Sequence, residues 1–166
     1  MVDYDWSKFR KRITIRATTQ EIYNAWATQS GLERWFLRTA EFTMPNKGVR
    51  SRNDGVQKGD RYRWLWFGYG DEVVEGGTIL EANEKDFLKF TFSGNCTVSV
   101  RVKEEKGETV CELSQEQIPT DEASKVSYHL GCMKGWTFYM TNLKSILEGG
   151  IDLRNKNDKI TDLINA

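Results

Sequence analysis

The chain is poor in the residues that build metal sites, disulfide frameworks and chain breaks: one histidine, three cysteines and two prolines in 166 positions. Cys96, Cys111 and Cys132 form no C-x-x-C pair and lack the density of a disulfide scaffold, which points to a reducing, cytoplasmic setting. One histidine and three scattered cysteines do not make the ligand clusters that zinc uses, so neither a metal nor a cofactor is expected. Net charge is missing too. The 24 basic and 24 acidic residues cancel, leaving no overall field to draw the chain to nucleic acid or an anionic membrane. No stretch approaches the roughly 18 apolar residues of a membrane span, and MVDYDWSKFRKR opens with charge rather than the apolar core of an export signal. Nucleic-acid binding and membrane insertion are therefore not expected. A phosphate-cradling glycine pattern is absent as well: the glycines of GYGDEVVEGG fall between strands, where turns and bulges account for them.

Aromatic side chains are what the sequence has in quantity, with six Trp, six Tyr and eight Phe. A chain of this length fits one domain with a substantial core. Rings beyond what that core needs tend to line pockets.

FRKRITIR alternates, with Phe9, Ile13 and Ile15 on one face of a half-buried strand and an Arg-rich, solvated face opposite. Thr18-x-x-Glu21 and Ser30-x-x-Glu33 both read as capping boxes, predicting two short helices that join near Gln29 and Ser30. Ile22, Ala25 and Trp26 share a face of the first, and Leu32, Trp35 and Phe36 a face of the second. Residues 45–60 are polar, Gly-rich and aperiodic, a long loop of the kind that is either a functional lid or disordered.

From Arg61 the pattern is strand after strand: RYRWLWF, VVEGGTILEA, FLKFTF, CTVSVRV and TVCELSQEQ. Tyr62, Trp64 and Trp66 share one face of their strand; Leu88, Phe90 and Phe92 share one face of theirs. Keeping the apolar faces of the last two strands together requires a two-residue turn at Lys106-Gly107, which pairs Val102 with Cys111 and Cys96 with Gln117. Cys96 and Cys111 are then not opposite one another, and no disulfide is expected.

After Pro119-Thr120-Asp121 a helix is expected to run to Glu148, stopped by Gly149-Gly150. Val126, His129, Met133, Trp136, Met140, Leu143 and Leu147 fall on one stripe of it. Gly131 and Gly135, with Asn142, fall on the other side, where they are either solvent-facing or approached closely by another segment. Residues 151–166, a tail beyond a domain spanning 1–150, could be that segment or a frayed end.

Two stretches carry a family resemblance. ITIRATTQEIYNAWATQSGLERWF resembles the opening of proteins related to the activator of heat-shock protein 90 ATPase, and GWTFYMTNLKSILEGG is similar to their close. Together they span residues 9 to 150 within the bacterial START-like, polyketide-cyclase-like superfamily. The resemblance implies an α+β helix-grip fold, a curved antiparallel sheet wrapped round a long C-terminal helix with a cavity between them. Fold alone does not choose among the carriers, receptors, cyclases and co-chaperones built this way.

The residues support three readings. In the first, a small hydrophobic molecule, lipid-like or aromatic, binds without turnover. The candidate residues are Trp35 and Phe36 from the second helix; Trp64, Trp66, Phe90 and Phe92 from the sheet; and Met133, Trp136, Tyr139 and Met140 from the long helix. Gln115, facing inward, and His129, on the helix stripe, are its polar candidates. In the second, the same cavity hosts an enzyme, with His129 needing a partner such as Tyr139, Gln115 or Glu75; no catalytic residue is assigned. In the third, implied by the resemblance, the chain contacts a chaperone. The eukaryotic activators carry a separate N-terminal domain with no counterpart here, so ATPase stimulation is not expected.

Overall fold

In the computed structural model, which describes residues 3–164, seven strands form one antiparallel sheet folded against helices. Residues 1, 2, 165 and 166, the outer ends of the domain and tail ranges read from the sequence, lie outside the described residues. The strands are β1 (Phe9–Thr14), β2 (Thr39–Thr43), β3 (Arg61–Leu65), β4 (Glu75–Ala82), β5 (Phe87–Phe92), β6 (Cys96–Glu105) and β7 (Glu108–Glu116). Their order is β1-β7-β6-β5-β4-β3-β2, a meander in which only the first strand leaves sequence order to close on the last. A register shift between Ile79 and Glu81 helps the sheet to curl. Among the described residues, no helix is long and apolar enough to cross a membrane.

The β6–β7 register is the one that alternation requires. Val102 pairs with Cys111 and Thr97 with Glu116, around a turn in which Lys106 and Gly107 both have positive φ. The pairing ends there, because Gln117 takes φ 60° and turns out to solvent. Gln117 therefore does not share the inward face of Cys111 and Leu113, whereas Gln115 does and is fully buried.

Two helices follow β1: α1 (Thr19–Ala27) and α2 (Gln29–Trp35). The Thr18–Glu21 capping box is present in full. The Ser30–Glu33 box is not, because Thr28, two residues earlier, already accepts the Gly31 N–H at 3.0 Å and caps α2. Glu33 instead accepts the Ala40 N–H at 3.0 Å, fastening α2 to β2, a short edge strand that sequence periodicity did not single out.

Residues 45–60 are neither lid nor disordered. Asp60 is wholly buried and receives a two-pronged ion pair from Arg50, Nη2 to Oδ1 being 2.8 Å. Val56 is also buried, and its N–H donates to the Ala27 carbonyl at 2.8 Å. The loop thus pins the α1–α2 junction to the end of β3.

The C-terminal helix has three sections: α3 (Glu122–Ser124), a π-helical stretch over Lys125–Gly131, and α4 (Cys132–Leu147). A wide π turn changes the phase of every residue before it. Ser124 and His129, five apart, are both buried, while Val126, expected on the inward stripe, is 63% exposed. From His129 onward the stripe holds: Trp136, Met140 and Leu143 are buried against the sheet, with Met133 and Leu147 packed at its margins. Gly149, at φ 80°, ends α4, and the Gly150 N–H returns to the Ser145 carbonyl at 2.7 Å.

Beyond it the chain runs extended along α4. Asn142, fully buried, donates to the Trp35 carbonyl at 2.7 Å and accepts the Leu153 N–H at 2.7 Å. Arg154, 7% exposed, pairs with Asp152 at 2.7 Å and donates to the carbonyls of Arg34 and Leu37 at the C-terminal end of α2. The tail is therefore the segment that packs close to the helix at Asn142.

Candidate functional site

A cavity of about 360 Å³ opens between α4, the π-helical stretch, the end of β5 and the loop that joins β3 to β4. Its walls are mainly rings. Phe36 from the end of α2, Phe92 from β5 and Trp136 and Tyr139 from α4 form the floor, and Trp66 and Tyr69 stand at the β3–β4 loop. Phe36 is the hub, with ring centroids 5.0 Å from Trp136, 4.9 Å from Tyr139 and 5.7 Å from Trp66. Most of these contacts are edge-on or tilted, the arrangement aromatic quadrupoles favour.

The innermost wall is fixed by one polar contact. The Trp136 indole N–H donates to Gln115 Oε1 at 2.9 Å, with Trp136 2% exposed and Gln115 not at all. Gln115 Nε2 then donates to the Tyr128 carbonyl at 3.3 Å, so one β7 side chain ties the sheet to both the π stretch and α4. The Tyr128 ring lies over Gly94, where a methyl group would come within 2.6 Å of it.

The polar lining comes from Glu75, Ser93, Ser127 and Cys132, with the hydroxyl-bearing rings of Tyr69 and Tyr139 besides. Glu75, the first residue of β4, accepts the Ser93 N–H at 2.8 Å. Burial pushes its carboxyl above the ordinary value, and the backbone and hydroxyl hydrogen bonds of Ser93 oppose that rise without cancelling it. Burial also pushes the Cys132 thiol up, against hydrogen bonding from Gln115 and Ser93. The same cause raises the Tyr139 hydroxyl, although the Arg154 charge pulls the other way. A protonated thiol is a weak nucleophile. No group of three or more His, Cys, Asp or Glu side chains among the described residues is placed to hold a metal.

Gly131 and Gly135 line this cavity; Gly131 is exposed, as the solvent-facing alternative has it, and Gly135 is half-buried with nothing packed close against it. With Tyr139 they occupy one flank of the helix at intervals of four. A methyl group built on Gly135 meets nothing within 4 Å, and one on Gly131 meets only the Val126 carbonyl, at 3.4 Å. The missing side chains are therefore part of the empty volume.

Five of the twelve residues nominated from sequence line the cavity: Phe36, Trp66, Phe92, Trp136 and Tyr139. Trp35, Trp64, Phe90 and Met140 are buried in the core around it, the Trp35 indole donating to the Ala25 carbonyl at 2.9 Å and Trp64 stacking on Tyr62 at 3.9 Å. Met133 is packed against that core, and Gln115 stands behind Trp136. His129 lies in a separate aromatic box with Tyr4, Trp6 and Phe9. Its Nδ1 faces the Trp6 carbonyl at 2.8 Å, so Nδ1 carries a proton, and Nε2 shares a second hydrogen bond of 2.8 Å with the Tyr4 hydroxyl. That histidine locks the N-terminal segment to the π stretch. The sequence reading missed Tyr69, Val73, Ser93, Ser127, Cys132 and both glycines, and had Glu75 only as a partner for His129.

The comparisons with known proteins follow the architecture. A family described as Activator of Hsp90 ATPase homolog 1-like protein matches residues 16–148. No curated protein matches the sequence. Among solved structures, protein SSP2350 from Staphylococcus saprophyticus superposes with a TM-score of 0.67 at 15% identity, covering 89% of this chain and 96% of that one. The Aha1 dimer from Colwellia psychrerythraea gives 0.64 at 16% identity, covering 86% and 97%. DynU16, from the dynemicin biosynthetic locus, gives 0.64 at 15% identity, with 90% of this chain spanning 50% of that one. At these identities the likeness establishes the shared helix-grip fold.

Proposed function

We propose, from the premise that the chain belongs to the Activator of Hsp90 ATPase homolog 1-like family, that it binds a small hydrophobic molecule between sheet and C-terminal helix without converting it. The observation that carries this reading is the ring-lined cavity of about 360 Å³, within the size range of small-molecule sites. Two helical positions on its wall are glycine, where the helix itself would gain about 0.5–1 kcal/mol from alanine at each. Holding rather than converting fits a wall of rings, a carboxyl anchored to Ser93 and a thiol that burial keeps protonated.

The reading is tested by adding a neutral aromatic probe, 1-naphthylmethanol, and following the indole N–H resonances by NMR. The Trp66 and Trp136 signals should shift saturably, and those of Trp26 and Trp35 far less. Uniform or absent shifts across a panel of naphthyl and acyl probes would remove the reading.

A protein-contact role, suggested by the family description, has one observation in its favour. Tyr69, Val73 and Val74 on the β3–β4 loop and Val126 and Leu130 on the π stretch are large apolar side chains between 40% and 63% exposed. Tyr69 and Val73 also line the cavity, so a partner docking on that loop would cover part of it.

A further inference from the structure

The cavity holds one carboxylate and no basic side chain. Glu75 lines it, and neither lysine, arginine nor histidine does. Among the described residues Glu75 forms no ion pair; its hydrogen bonds come from the backbone and hydroxyl of Ser93. The rest of the lining includes the rings of Phe36, Trp66, Phe92, Trp136 and Tyr139, side chains of a type whose π electrons attract a cation. Glu72, on the β3–β4 loop that supplies Tyr69 and Val73 to the lining, is exposed and, among the described residues, has no salt bridge. Arg154, whose charge reaches the Tyr139 hydroxyl from outside the cavity, is neutralised by Asp152 and occupied by three α2-end carbonyls.

We infer that the ligand is an organic cation, an ammonium group carried on an apolar, ring-sized body, with the nitrogen held beside Glu75 and the body among the rings. This rests on the small-molecule reading above and narrows it to a charge class. A neutral body would leave the Glu75 charge without a counter-charge, and an aromatic carboxylate would oppose it with like charge. An ammonium ion pairs with it and gains the cation–π contribution as well.

The test is calorimetric titration of the intact protein with three probes of one shape: 1-naphthylmethylamine, 1-naphthylmethanol and 1-naphthoate, at neutral pH. The amine should bind about tenfold or more tightly than the alcohol, with the carboxylate weakest. Glu75→Gln, which keeps an oxygen for the Ser93 N–H, should bring amine and alcohol within about threefold of each other, chiefly by weakening the amine. Trp66→Leu, at a partly exposed ring, should lower the affinity of the amine more than that of the alcohol, and gives a second variant should Glu75→Gln fail to fold. Equal binding of amine and alcohol by the unsubstituted protein would overturn the charge assignment and leave the small-molecule reading standing. Binding of none of the three would overturn both.

Discussion

Gln115 and Trp136 meet across 2.9 Å with both side chains buried, so a hydrogen bond joins the sheet to the C-terminal helix behind the cavity wall. Replacing Trp136 by Phe keeps a ring but orphans a buried amide oxygen, at a cost of about 1–3 kcal/mol for the unmet acceptor. Replacing both partners, as Gln115→Leu with Trp136→Phe, should restore part of that loss. Urea unfolding of the two single variants and the double reads the coupling directly; strict additivity would show that the bond contributes nothing specific.

Gly135→Ala should stabilise the protein by about 0.5–1 kcal/mol, because the added methyl meets nothing within 4 Å. The rise in unfolding midpoint separates this position from glycines that are structurally required. Gly94 is one of those: at φ 66° and under the Tyr128 ring, its replacement by alanine should destabilise.

Arg50→Ala strands the Asp60 carboxylate, which has no exposure, and should cost about 3–5 kcal/mol. Asp60→Asn in the same chain should recover much of it. Denaturation midpoints for the single and double variants check this, and an Arg50→Ala variant as stable as the parent would mean that residues 45–60 are not anchored as described.

The tail clamp should be acid-sensitive. Desolvation opposes ionisation of Asp152, but hydrogen bonds and charge from Arg154 and Lys156 more than offset it and hold the carboxyl well below the ordinary aspartate range. A carboxyl depressed in the folded state stabilises above its unfolded value, and that contribution is lost as pH falls toward the folded one. Protection of the Leu153 amide, which donates to Asn142, should therefore fall on acidification below about pH 4. In Asp152→Asn the fall should be shallower.

How much of this the sequence revealed depended on periodicity. Strict alternation in CTVSVRV and TVCELSQEQ determined a register that holds as far as Thr97 and Glu116. The Thr18 cap was legible because hydroxyl and carboxylate stand at the right spacing with no competitor nearby. At Ser30 the same spacing misled, since Thr28 was better placed and Glu33 was drawn to β2 and to Arg52. A helix read at one constant angle cannot register a π turn, which is why Val126 was put inside. The cavity's rings were half legible: Trp64 and Trp66 share a face by alternation, but β3 ends at Leu65, so only Trp66 reaches the opening. Glu75 and Ser93 sit at a strand end and in a turn, where alternation assigns no face, and the empty space at Gly135 has no sequence signal beyond the glycine itself.

The cavity is most directly tested by filling it from within. Protein recovered from its own cells should carry a non-covalent mass in native spray that disappears on denaturation, and Gly135→Leu, whose side chain enters the cavity from a position with nothing within 4 Å of its Cβ, should fold as stably and carry none. An adduct equally abundant in both proteins would place the ligand elsewhere, and none in either, with no naphthyl or acyl probe retained, would contradict the account.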